Sequence, residues 1–198
     1  MGRMTDAFTL LLQAADLLPD GVRTAEGGTA EDVRDCGWRH DWEFAFDLLL
    51  AMGRARSLPP PYWGLLADAA GQVGRERTAR WCDWRRGEAE RGGVRAELVL
   101  AGADAGWRTT PFAGDGRLRP MWDIGLRTAT GEPSLAVAAL WVEDEPFLAP
   151  GGAAAVRLAP LTPELWQGVA VGDRLALYES AVPGGSARVL GIVASFRA

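Results

Sequence analysis

Pro150-Gly151, Ala155-Val156-Arg157-Leu158, Pro160-Leu161, Gly172-Asp173, Leu175-Ala176-Leu177-Tyr178-Glu179 and Arg188-Val189-Leu190-Gly191-Ile192-Val193 follow one another in one stretch of the chain. Short apolar runs separated by Gly, Pro and Asp are the pattern of short strands joined by tight turns. Working upstream, the same grammar continues through Val94–Leu100, Leu118–Ile124 and Leu135–Val142, which join Ala154–Leu158, Arg174–Glu179 and Ala187–Phe196. Beyond a turn near Pro163–Val169 no helical period interrupts them. Several short strands at such spacing predict a closed or nearly closed barrel over residues 94–198.

Residues 5–92 read differently. Thr5 is placed to cap a first helix carrying Phe8, Leu11, Leu12, Ala15 and Leu18, ended by Pro19-Asp20-Gly21. Gly27-Gly28 marks a loop, and Thr29-Ala30-Glu31-Asp32 is expected to open only a short turn. Trp38, Trp42, Ala45, Phe46, Leu49 and Met52 form one face of a second helix, with Gly53 at its close. Pro59-Pro60-Pro61 stops one helix and starts the next, since proline is tolerated in a first turn. That third helix carries Tyr62, Leu65, Leu66, Ala69, Ala70 and Val73, and Arg75–Glu90 reads as a fourth. Short connections predict antiparallel packing. The expected class is α+β: a small Trp-rich helical bundle over 5–92, then a β-barrel over 94–198.

Composition narrows the chemistry. Among 198 residues, 48% are hydrophobic, enough for a real core in one large or two small domains. All 21 basic residues are Arg, with no Lys and no Asn, a vocabulary expected of a GC-rich genome. Without Lys there is no P-loop and no Schiff-base nucleophile. The net charge is −5, and it is uneven. Residues 1–74 carry eleven acids against six Arg, whereas residues 75–127 carry eleven Arg against eight acids. No run reaches the length of a membrane span, and Asp6 sits where a signal peptide needs apolar residues. A cytoplasmic location is expected, with Cys36 and Cys82 reduced.

The C-terminal order resembles the third, β-barrel domain of elongation factor Tu-like translation proteins. Arg119-Pro120-Met121-Trp122 falls where that domain opens with a polar-aromatic strand. Glu145–Gly151 matches its strand before a Pro-Gly turn, and Pro160-Leu161-Thr162-Pro163 matches its Pro-Leu-x-Pro segment. Leu175–Glu179, a turn at Gly184-Gly185-Ser186, and Arg188–Val193 match its closing hairpin. The resemblance covers roughly residues 117–196 and implies a barrel fold; the GTPase domain and its Asn-Lys-x-Asp signature have no counterpart here. The whole chain also resembles an uncharacterised actinobacterial family with a Trp-rich helical half before such a barrel.

The candidate chemistry is sparse. Cys36 and His40 share a four-residue spacing, with Asp35 or Asp41 nearby and Cys82 distant. Structural zinc wants two close ligand pairs, so ordinary packing is the expected role and no metal or other cofactor is assigned. His40, the only histidine, would have to serve any Ser–His or Cys–His pair, and no Gly-x-Ser-x-Gly elbow accompanies it. Glu143-Asp144-Glu145 reads as a solvated loop or as an acidic contact for an Arg-rich partner. Arg80, Trp81, Trp84, Arg85 and Arg86 are the nucleic-acid candidates, opposed by Glu76, Asp83, Glu88 and Glu90 on the same helix. Of nine Trp, Trp107 and Trp166 are the expected partner-binding pair, with sealing of the junction between the halves as their alternative role.

These readings converge on a non-enzymatic cytoplasmic binding protein with a macromolecular, preferably protein, partner, possible examples being immunity or antitoxin-type proteins. An RNA- or ribosome-associated binder is the alternative implied by the barrel, and an enzyme of unrecognised class is the third.

Overall fold

Asp6 is the first residue that the structure describes. In the computed structural model, which describes residues 6–39, 41–105 and 108–193 (with the side chains of 37–39 and 55 left out), the Asp6 carboxylate accepts from the Thr9 amide at 3.0 Å. It therefore caps the first helix, α1 (Ala7–Asp16), in the role expected of Thr5, which lies outside the described residues. Leu10, Leu11, Ala14 and Ala15 form its buried face.

The expected short turn at Thr29 is instead a ten-residue helix, α2 (Ala30–Arg39). Its start is fixed reciprocally. The Asp32 carboxylate accepts from the Thr29 amide at 2.7 Å, and the Thr29 hydroxyl accepts from the Asp32 amide at 3.3 Å. Asp41 then caps a separate helix, α3 (Trp42–Ala55), by accepting from the Phe44 amide, so the apolar face expected to begin at Trp38 is divided between two helices. Gly53 lies inside α3 and does not end it: a Cβ there would overlap the Trp63 ring. Helix α4 (Pro60–Gln72) follows Pro59, and α5 (Glu76–Arg91) completes the series. The Tyr62 hydroxyl donates to the Leu49 carbonyl at 2.7 Å, tying α4 to α3 inside the core. One apolar cluster, containing Leu11, Phe46, Leu49, Met52, Trp63 and Leu66, is shared by these helices.

The chain divides into two compact units, Met1–Glu90 and Arg91–Ala198. In the second, strands β1 (Gly93–Leu100), β2 (Phe112–Ala113), β3 (Met121–Asp123), β4 (Ala136–Val142), β5 (Phe147–Leu148), β6 (Ala153–Pro160), β7 (Arg174–Tyr178) and β8 (Pro183–Val193) succeed one another. Six of them close a barrel in the order β1-β6-β4-β3-β7-β8, with every pairing antiparallel and β8 returning to β1. Strands β2 and β5 form a separate two-stranded ladder that the apolar pattern did not announce, because each is only two residues long. The protein is thus a mixed α+β chain with a closed antiparallel barrel.

The barrel is filled by alternate side chains: Val94, Ala96 and Leu98 from β1, Ala136, Ala138 and Leu140 from β4, and Trp122 from β3 all point into its core. Small alanines beside bulky residues leave room for the Trp122 indole in a six-stranded interior.

One expectation is corrected at the last hairpin. Gly184-Gly185-Ser186 lies within β8, and the turn falls before it, between Tyr178 and Pro183. The glycine is needed for close approach: a Cβ on Gly185 would stand 2.8 Å from the Val99 carbonyl oxygen of β1. Gly185→Ala is expected to lower stability by about 1–3 kcal/mol, because backbone must move to admit the methyl. Urea denaturation followed by tryptophan fluorescence measures this, and an unchanged midpoint would contradict it.

Candidate functional site

A groove opens on the helical unit where the loop after α1 faces α3. Its loop wall is Thr24, Glu26, Gly27 and Gly28, and Asp32 joins from α2. Its helix wall is Phe44, Asp47, Leu48 and Ala51, which share one face of α3 by helical spacing. The volume is about 530 Å³.

Local chemistry explains why the loop stays there. The Thr24 amide donates to the Gly28 carbonyl at 2.9 Å, and the Gly28 amide returns to the Thr24 hydroxyl at 3.0 Å. Gly27 takes φ +93°, in the left-handed region open to glycine. Gly28 packs so tightly that a Cβ would stand 2.7 Å from Leu48 Cδ2. The Gly27-Gly28 pair read in the sequence as a simple loop is therefore what lets the wall lie on α3.

The groove is asymmetric in charge. Among the described residues, Glu26, Asp32 and Asp47 line it and no basic side chain does. Asp47 meets Arg75 at 3.1 Å, yet its side chain stays 64% exposed, so the carboxylate still faces water. Beside it, the Phe44 ring is 52% exposed.

The residues expected from sequence to bind partners are scattered. Trp166, on a short 3-10 turn (Pro163–Trp166), is 1% exposed and belongs to the barrel core, which corrects its reading as a surface anchor. Its apolar area is satisfied inward; Leu165 of the same turn and Leu161, two residues before it, are exposed. Trp107 lies outside the described residues. Glu143 is not a solvated loop acid. It ends the β4 edge of the barrel with a bidentate contact to Arg95, at 2.9 and 2.8 Å, and accepts from Arg157 Nε at 2.7 Å. Burial raises its pKa, but hydrogen bonding to Arg95 and the charges of Arg157 and Arg95 outweigh that and hold the carboxyl below its usual range. Asp144 and Glu145 are exposed.

The arginine stripe also separates. Arg85 is 4% exposed, stacked 4.3 Å from the Trp63 ring centroid and 5.4 Å from that of Trp81, with Glu88 Oε2 at 2.8 Å from its Nε. Its guanidinium is a core group, contrary to the solvent-facing role expected for phosphate contact: the flat cation lies against aromatic faces and beside a buried carboxylate. Arg86 is exposed and paired to Asp83 at 2.8 Å. Arg80 is exposed, and Trp81 and Trp84 are half-buried.

Cys36 is buried and donates its S–H to the Asp32 carbonyl at 3.0 Å. Burial, reinforced by the Asp83 charge, pushes the Cys82 thiol up to about 12. His40 lies outside the described residues. Among the described residues, no group of three or more metal-ligating side chains is assembled, and no helix is long and apolar enough to cross a membrane. No family model and no curated protein matches the chain.

Sequence reasoning missed Phe44, Asp47 and Ala51 as site residues. Their spacing was available, but the buried stripe of Phe46, Leu49 and Met52 on the same helix dominated its reading.

Proposed function

We propose that the chain is a non-enzymatic cytoplasmic protein that binds a macromolecular partner, of immunity or antitoxin type, through its helical unit. The observation that supports this reading most is the groove on α3, where a half-exposed Phe44 stands among carboxylates. An aromatic ring left in water beside a cavity is an anchor waiting for a surface, since rings of this kind dominate interface energetics when they become buried. The acidic excess of residues 1–74 supports it further, by steering a basic partner to that face.

The test is co-expression with the products of adjacent genes in the native host, followed by size-exclusion chromatography. A stable complex that suppresses the toxicity of the partner supports the proposal. Absence of any complex overturns it, as does salt-sensitive RNA binding that is lost in Arg80→Ala and Arg86→Ala, which would favour the RNA-associated alternative.

A further inference from the structure

We propose that the outer face of the β7–β8 hairpin is a phosphate site, in which Arg174, Arg188 and Ser186 hold the dianionic end of a phosphomonoester or of inorganic phosphate. This goes beyond the reading of the helical unit above and does not depend on it. The strand register builds the site. Leu175 and Ala187 belong to the barrel core, so strand alternation puts Arg174, Ala176, Ser186 and Arg188 on the outer face. Arg174 stands directly opposite Arg188, and Ala176 directly opposite Ser186. The two arginine stems therefore leave the sheet about 5 Å apart. The serine lies about 7 Å further along β8, and the fourth corner carries only a methyl group.

Like charges directly opposite one another on a sheet cost stability unless something neutralises them. Nothing in the described residues does so here. Arg174, Arg188 and Ser186 are exposed, their side chains make no hydrogen bond, and neither arginine forms an ion pair. Arg127 and Arg117, also exposed in the barrel unit, do meet carboxylates, Asp123 at 2.8 Å and Asp115 at 3.4 Å. The two acids nearest in register leave the pair open. Asp173 accepts from the Ala170 amide at 2.8 Å, and Glu97, opposite Arg188 on β1, makes no ion pair with it. What surrounds Ala176 is a set of donors: each guanidinium can give an oxyanion two parallel N–H bonds, and the serine hydroxyl one more. Charge then selects the class of anion. Two cations match a terminal phosphate carrying nearly two charges, whereas a carboxylate or a nucleic-acid diester brings one.

The experiment titrates the isotopically labelled full chain with inorganic phosphate, glycerol phosphate and oligothymidylate, with sodium chloride holding the ionic strength constant. Saturable NMR shifts at the backbone amides of residues 174–176 and 186–188 are expected with the first two probes. Tighter binding of glycerol phosphate identifies an ester as the ligand, and equal or weaker binding identifies free phosphate. Arg174→Gln and Arg188→Gln are each expected to weaken binding about tenfold. Glu97→Gln, which removes a repelling acid, is expected to tighten it about twofold. Both arginine variants should fold at least as stably as the wild type, because the opposed charges are gone, and urea midpoints check this. Four results would overturn the inference: no saturable shift, affinity unchanged in both arginine variants, weaker binding in Glu97→Gln, or oligothymidylate binding more tightly per phosphate than glycerol phosphate.

Discussion

Replacing Trp122 by Ala is expected to destabilise the barrel by about 4 kcal/mol, within the range for truncating a fully buried large aromatic residue. Trp122 is wholly buried and is the middle residue of the three-residue strand β3. That strand pairs with β4 through Met121 and Trp122, and with β7 through Met121, Trp122 and Asp123. So few rungs cannot hold a strand by hydrogen bonding alone. Ala136 stands directly across on β4 and Leu177 on β7, so the indole fills space that its small neighbour leaves. Without it β3 loses its anchor, and the ring of strands opens between β4 and β7. Hydrogen exchange at Met121 and Asp123 should accelerate with the drop in stability. Trp122→Phe should cost much less, about 1–2 kcal/mol, since the buried indole N–H has no hydrogen-bond acceptor to lose. A Trp122→Ala protein with wild-type urea midpoint and unchanged exchange at β3 would refute this account.

Glu143→Ala is the second large expected loss, about 3 kcal/mol at neutral pH. The Arg157 side chain is only 6% exposed, and Glu143 supplies the carboxylate that its Nε meets at 2.7 Å. Arg95, at 43% exposure, adds less because water screens it. The pH dependence has a definite sign. A carboxyl whose folded pKa lies below its ordinary value near 4.5 contributes stability that is complete above that value and fades as pH falls through the folded pKa. Wild-type protein should therefore lose stability more steeply than Glu143→Gln as pH drops below about 4.5. Denaturant midpoints measured from neutral to acid pH test this, and parallel curves for the two proteins would show that Glu143 contributes no such linkage.

The barrel strands were legible to within a few residues, because interior positions alternate with turn residues and each strand is short. Closure was legible only as an expectation, since which strand returns to β1 depends on pairings far apart in sequence. The β8 start was misread because Gly184-Gly185 looks like turn chemistry. Only the position of the Val99 carbonyl shows that Gly185 is there for close approach. Helix α2 was underestimated for a related reason: its mean polarity hides the reciprocal Thr29–Asp32 cap that nucleates it. At the candidate sites, charge counts gave signs but not directions. Nothing in Arg85-Arg86 says that the first guanidinium turns onto Trp63 and the second faces water. The acidic bias of residues 1–74 was visible, whereas its focus at Phe44 required the fold of the Gly27-Gly28 loop.

Strands β1 and β8 run antiparallel with Gly93 opposite Val193 and Leu100 opposite Gly185, so the first residue of one faces the last residue of the other. A tensile load applied between those two ends acts on a single rung at a time, and the ladder peels like a zipper instead of resisting in shear. The seam that completes the ring is thus its mechanical weak line: force arriving from both sequence ends of the barrel would unroll it strand by strand, beginning where it was closed.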